Sequence, residues 1–268
     1  MNLESLCKKV LNVTAEVSAF ITEQARSFKP SQIEIKGKND LVSYVDRESE
    51  ALIVNQLKLI FPEGEFIAEE NPDYKKLTEK PYHWIIDPLD GTTNFLHGLP
   101  IYSISIALMH YDKVVLGVVH EVNRNESFYA WEGGGAYCNG ERIYASQGYQ
   151  MQDSLLATGF PYRDFDQFPA YLDIIKGLMY QTHGLRRMGS AAVDLAYVAI
   201  GRFQGFFEYN LNAWDIAAGA LIVQEAGGTV TDFKGGNNYI FGKQMLAAGN
   251  IHHEMLNVVQ TFWYPNGF

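Results

Sequence analysis

Cysteine is nearly missing: Cys7 and Cys138 are the two thiols in 268 residues. Two isolated thiols offer neither metal-type spacing nor a disulfide framework, so a reducing cytoplasm is the expected setting. Positive charge is also short. Lys and Arg number 21 against 31 Asp and Glu, a formal charge of −10. That balance disfavours nucleic acid or an anionic membrane surface as the main partner. A negatively charged substrate stays open, because bound cations invert a local field. No uncharged apolar run reaches membrane-spanning length, and the helix-like stretch 213–223 is short and carries Asp215. The N-terminus lacks a basic stretch followed by an apolar core, so no signal peptide is expected. The glycines at 133–135 lack the Lys-Ser/Thr ending of a nucleotide P-loop and read as a hairpin turn.

Apolar residues make up 47% and aromatic residues 13% of the chain, enough for a substantial core. Leu3, Leu6, Val10, Val13, Val17, Phe20 and Ile21 recur at helical spacing. Ser43-Tyr44-Val45-Asp46 has capping-box form and predicts a helix to about Phe61. Strand-like runs at 101–109, 113–122 and 126–131 predict an antiparallel meander. After about residue 146, helices and strands alternate. The expected organisation is an α+β half over 1–145 and an α/β half over 146–268, packed as one unit without a linker.

Chemistry concentrates in Trp84-Ile85-Ile86-Asp87-Pro88-Leu89-Asp90-Gly91-Thr92-Thr93-Asn94-Phe95. An apolar strand delivers Asp87 to a sheet edge, Pro88 is expected to end the ladder, and a turn brings Asp90 back. Two hard carboxylates beside free backbone N–H groups suit Mg²⁺ and a phosphate together. Asp-Pro and Asp-Gly turns are individually ordinary; the full run with Gly91, Thr92 and Thr93 is not. Asp215 alone could simply complement a helix dipole, worth about 0.3–1 kcal/mol. The very apolar run 216–223 behind it buries that helix and aims its acidic start into a cleft. Glu69-Glu70 could be an exposed acidic loop, Asp46 a capping acid, and Glu208 a plain strand end. His97 and His120 have no Ser or Cys partner motif, and His252-His253 read as surface residues. Arg186-Arg187 suits phosphate, a salt bridge or a subunit contact equally.

Two stretches, Asp87-Pro-Leu-Asp-Gly-Thr-Thr-Asn-Phe95 and Trp214-Asp-Ile-Ala-Ala-Gly-Ala-Leu-Ile-Val-Gln-Glu-Ala-Gly-Gly228, resemble the two signatures of the inositol monophosphatase family. Glu69-Glu70, the run from Thr158 to Pro161, Gly189-Ser190-Ala191-Ala192 and Glu208 extend the likeness over nearly the whole chain. The resemblance implies a layered αβαβα sandwich, a homodimer, and a Mg²⁺-dependent, Li⁺-sensitive phosphatase acting on a small phosphate monoester. It implies two to three Mg²⁺ ions. Glu69, Asp87 and the Leu89 carbonyl would hold one; Asp87, Asp90 and Asp215 a second; a weaker third would sit near Glu69. Thr92 and Asp46 match the family's water-activating pair, and Glu69 is counted with them among the catalytic residues. Gly91 and Thr92 would contact phosphate, while Asp90, Asp215, Glu208 and the backbone of Gly189, Ser190 and Ala191 would line the substrate.

Inositol 1-phosphate is the leading substrate; relatives of this family act instead on fructose bisphosphate, 3′-phosphonucleotides, NADP or histidinol phosphate. Asn212 stands where animal members often carry His, and Lys36 or Lys38 could match the substrate-side lysine. Some bacterial relatives also associate with the transcription machinery, which gives a regulatory alternative.

Overall fold

Asn2 starts the first helix: its Oδ1 accepts the Ser5 amide at 2.9 Å, and α1 runs Leu3–Ser27. Leu6, Val10, Val13, Val17 and Ile21 are buried along one stripe, as their spacing requires. This computed structural model describes residues 2–28, 34–37, 40–74, 76–160 and 166–267, with 34–37 and 40–42 given by their backbone. Lys38, Pro161 and Tyr162 lie outside the described residues, and so does the side chain of Lys36.

A hairpin of β1 (Glu34–Gly37) and β2 (Asp40–Val42) leads into α2 (Tyr44–Ile60). The capping box is formed: Asp46 Oδ2 accepts the Ser43 amide at 2.8 Å, and Ser43 Oγ accepts the Val45 amide at 3.1 Å. Then come β3 (Glu65–Ala68), β4 (Tyr82–Asp90), α3 (Thr92–Leu96), β5 (Ser103–His110), β6 (Lys113–Glu121), β7 (Glu126–Trp131), β8 (Gly135–Cys138) and β9 (Glu141–Arg142). These seven strands form one sheet in sequence order. Strands β3 and β4 run parallel, and each later pair is antiparallel, the expected meander.

The remainder comprises β10 (Leu155–Thr158), α4 (Phe168–Gln181), β11 (Gly184–Arg186), α5 (Ala191–Ala199), β12 (Gly205–Tyr209), α6 (Ala213–Glu225), β13 (Thr229–Thr231), β14 (Gln244–Ala248) and α7 (His252–Trp263). The second sheet has the order β11-β10-β12-β14-β13. Strand β10 is parallel to β11 and β12, whereas β14 is antiparallel to both its neighbours. Helical crossovers permit the parallel pairs; β13 and β14 are joined without a helix, so the chain reverses.

The layers are αβαβα. Helices α1 and α2 cover the outer face of the seven-stranded sheet, α5 and α6 fill the space between sheets, and α4 with α7 covers the far side. Strand β4 shows why a nearly unbroken apolar run is needed: Trp84 and Ile86 pack toward α1 and α2, and Ile85 toward α6. Helix α6 lies close on β6, where a Cβ on Gly117 would stand 2.7 Å from the Ala218 carbonyl oxygen.

Three expectations change. Pro88 does not end β4: Asp87 pairs with Ser105 and Asp90 with Ser103, so three residues of β4 step against two of β5 and the ladder resumes. A bulge absorbs the proline's missing donor while keeping both acids at the sheet's end. His252 is not a surface residue; it is 8% exposed and its Nε2 lies 3.0 Å from Thr231 Oγ1. His120 has serine partners after all, supplied by the fold: Ser127 Oγ at 2.8 Å and Ser18 Oγ at 2.9 Å. That buried cluster ties α1 to the sheet and lies among structural contacts.

Candidate active site

The bulge in β4 brings the acids of the Asp87 motif to one end of the first sheet. Asp87 is buried, and its Oδ1 accepts the Leu89 amide at 3.0 Å. Its carboxyl is pushed well above the usual range by burial, then by the facing charges of Glu69, Asp90 and Asp215. Asp90 Oδ2 accepts Ser190 Oγ at 2.6 Å and the Ala192 amide at 2.8 Å, so the start of α5 docks on β4 through this carboxylate. Burial raises Asp90 to about 6 against the pull of Ser190, Ala192 and Arg187. Asp215 sits in the first turn of α6, where its Oδ2 accepts the Asn212 amide at 2.6 Å. Burial and Asp90 push it to about 7, with Asn212 and Lys243 opposing.

Gly91 adopts φ 97°, a left-handed conformation that lets the chain turn directly from β4 into α3. Thr92 then opens α3, and its Oγ1 lies 2.9 Å from Asp46 Oδ1 and 3.0 Å from the Leu89 carbonyl oxygen. Asp46 therefore does two jobs, one oxygen capping α2 and the other holding Thr92. Its burial raises it, against hydrogen bonds from Ser43 and Thr92.

Asp90, Gly189, Ser190, Ala191, Glu208 and Asp215 line one cavity of about 150 Å³. Glu208 is pushed to about 8 by burial and Asp215, against the opposing charge of Arg187. Gly159 makes room for it, since a Cβ there would overlap Glu208 Oε1. Glu69, Asp46 and Thr92 lie outside that lining and join it through Asp87 and Leu89.

The donor set suits a hard divalent cation. Asp87 faces Glu69, Asp90 and Asp215, and the charged forms of the three aspartates are disfavoured, a situation a cation reverses. Among the described residues no three of these side chains already close into a cage. Mg²⁺ does not need one: it takes one or two carboxylates and completes its shell with water, carbonyl and phosphate oxygens.

Sequence reasoning missed several supports. Glu50 Oε2 and Oε1 accept the Glu70 and Asn71 amides at 2.7 and 2.9 Å, fixing the turn after Glu69. Asn94 Nδ2 donates to the carbonyls of Ile101 and Met188, pinning the segment just before Gly189. Lys243 Nζ donates to Asn212 Oδ1 beside Asp215. Apart from the Asn94–Ile101 bond, which spans seven residues, each acts across tens of residues, and no local pattern announces it. A local signal did exist for Asp194, an acid in the first turn after Gly189-Ser190.

The inositol monophosphatase family model matches residues 2–263. The chain belongs to the inositol monophosphatase family. Among curated relatives of this family member, the Nus factor SuhB of Escherichia coli (strain K12) is 43% identical over 212 residues, covering 79% of each chain. Among solved structures, the extragenic suppressor protein suhB from Bartonella henselae is 36% identical with a TM-score of 0.89, covering 96% of this chain and 98% of that one. The inositol monophosphatase from Anabaena (Nostoc) sp. PCC 7120 is 30% identical with a TM-score of 0.84, covering 98% of both. The αβαβα sandwich is thus the fold of these inositol monophosphatase neighbours. Membership supports a phosphatase of a generally metal-dependent family. No helix among the described residues is long and apolar enough to cross a membrane.

Proposed function

We propose that this chain hydrolyses a small phosphate monoester, inositol 1-phosphate first, with Mg²⁺ held at the Asp87 cluster. The observation that carries the reading is Asp87 itself, 2% exposed and facing Glu69, Asp90 and Asp215. Such a gathering of buried acids is unfavourable without counter-charge. Glu69, Asp87 and the Leu89 carbonyl would hold one ion, and Asp87, Asp90 and Asp215 another, with a weaker third near Glu69. Bound there, Mg²⁺ supplies Lewis-acid stabilisation of the charge that develops on the phosphoryl, attacking and leaving oxygens.

The chain's own groups do the rest. Thr92 gives its hydroxyl hydrogen to Asp46, which leaves the lone pairs of Thr92 Oγ1 to orient a water. As that water attacks phosphorus, its proton passes to Thr92 and the Thr92 proton to Asp46, whose raised affinity suits a base. The Gly91 and Thr92 amides at the start of α3 offer donors to the equatorial phosphoryl oxygens. Glu208 and the backbone at 189–191 receive the leaving alcohol. A cytoplasmic, Li⁺-sensitive homodimer is part of the same reading and rests on the family likeness. Light scattering at micromolar concentration checks the dimer.

The test is phosphate release with Mg²⁺ from inositol 1-phosphate, fructose 1,6-bisphosphate, 3′-phosphoadenosine 5′-phosphate, NADP and histidinol phosphate. Inositol 1-phosphate should dominate and be lost with EDTA; another dominant ester would replace the substrate and keep the chemistry. No release from any of them would sink the reading.

A second reading draws on the relatives named Nus factor SuhB: an association with the transcription machinery. Complementation of a deletion by an Asp87→Asn chain would favour it, and failure to complement would favour catalysis.

A further inference from the structure

The alcohol side of the cavity holds a group that none of these roles uses. Asp194 lies in the first turn of α5, is 1% exposed, and lines the same cavity as Glu208. Its Oδ1 has no hydrogen-bond partner among the described residues. Buried carboxyl oxygens are seldom left so; Oδ1 itself is closed off, and the carboxyl that carries it lines the cavity, where an entering group can satisfy it. Helix capping does not account for it, because Ser190 Oγ already accepts the Val193 amide at the start of α5. A dipole-complementing acid would serve equally well on the exposed side of that turn.

The surroundings indicate what the Asp194 carboxyl would meet. Glu208 and Arg187 line the same cavity, together with Thr158, Gly159 and Leu211. Glu208 and Asp90 are the acids whose charges bear on Asp194, and Arg187 is the opposing cation. Carboxyl acceptors beside a guanidinium donor match hydroxyls, which both donate and accept. We propose that Asp194 is a specificity-determining residue of the alcohol pocket, its carboxyl accepting a hydroxyl of the leaving alcohol alongside Glu208. This rests on the phosphatase reading.

Asp194→Ala and Asp194→Asn, each checked for folding by circular dichroism, are compared with the wild-type chain in Mg²⁺. The substrates are inositol 1-phosphate and phenyl phosphate, whose leaving group carries no further hydroxyl. The kcat/KM ratio of the first over the second should fall at least about tenfold in the alanine variant, chiefly through KM for inositol 1-phosphate. It should fall less in the asparagine variant, which keeps one side-chain oxygen acceptor. An unchanged ratio overturns the proposal, and if the alanine variant does not fold, the asparagine ratio decides in the same way. Saturation-transfer NMR on free inositol gives a second readout: transfer should weaken in both variants. No transfer to the wild type, or equal transfer in all three, overturns the assignment. Release from neither ester by the wild type would fail the phosphatase reading while the NMR arm still reports on Asp194.

Discussion

Thr92 Oγ1 lies 2.9 Å from Asp46 Oδ1, joining the first residue of α3 to the first turn of α2 across 46 positions. The pair separates chemistry from folding. Thr92→Ala removes the water-orienting hydroxyl and leaves the Ser43–Asp46 cap intact, so kcat should fall about 10²–10⁴-fold with an almost unchanged melting temperature. Thr92→Ser should recover most of the activity. Asp46→Asn should lose activity and also about 1 kcal/mol of stability, because the same side chain caps α2. Steady-state kinetics paired with thermal melts read both effects.

The Asp87 cluster predicts a metal-dependent reversal of stability. An acid whose folded pKa is raised loses stability as pH rises through that value, since the folded chain must then carry the unfavourable charge. The unfolded carboxylates titrate near 3.8, so Asp90 at about 6 and Asp215 at about 7 place the loss between roughly pH 4 and 7 in EDTA. Mg²⁺ should restore the melting temperature at the upper end. Asp87→Asn keeps an acceptor for the Leu89 amide and removes one charge. In EDTA at pH 8 it should melt higher than the wild type, with turnover abolished and the Mg²⁺ shift diminished. A lower melting temperature under those conditions would contradict the charge argument.

Much of this site was legible because its acids sit beside local punctuation. Asp87-Pro88 and Asp90-Gly91 mark the end of an apolar strand, and Asn212 precedes the buried α6 by one residue. The caps at Ser43 and Asn212 are properties of four-residue windows, and the helices follow from apolar spacing. Pro88 misled because proline's effect on a ladder depends on the partner: opposite β5, a bulge accommodates it. His252 misled for the same reason, its partner lying 21 residues away, and one of the two serines on His120 lies 102 residues away. The reversed β14 was invisible to a pattern that counts alternation without connection length.

His120 supplies an acid-side prediction remote from the metal cluster. Burial holds its imidazole down at about 4, below the usual 6.5. Between those values the unfolded chain binds a proton that the folded chain does not, so stability falls as pH drops from about 6.5 to about 4. The contribution is on the order of 3 kcal/mol. Denaturant melts across that window should show the slope, and His120→Gln should flatten part of it. His252, also held at about 4 by burial, contributes in the same direction.

Gly117 links packing to the site. A methyl group there would meet the Ala218 carbonyl oxygen at 2.7 Å and its Cα at 3.0 Å, both backbone atoms that no rotamer change can move. Gly117→Ala should therefore push α6 off β6, costing about 1–3 kcal/mol. Asp215 rides on the first turn of that helix, one residue after Trp214, whose carbonyl accepts Ser105 Oγ at 3.1 Å. Displacing α6 shifts Asp215 relative to Asp87 and Asp90 on β4. The variant should need more Mg²⁺ for half-maximal activity while its KM for the ester changes less. Gly219→Ala offers the comparison, because its Cβ would meet only the Leu195 side chain, at 2.6 Å, on the side of α6 facing α5. It should lose stability with a smaller change in Mg²⁺ requirement. Equal Mg²⁺ shifts in the two variants would show that α6 moves as a loosened helix and that its distance from β6 does not set the position of Asp215.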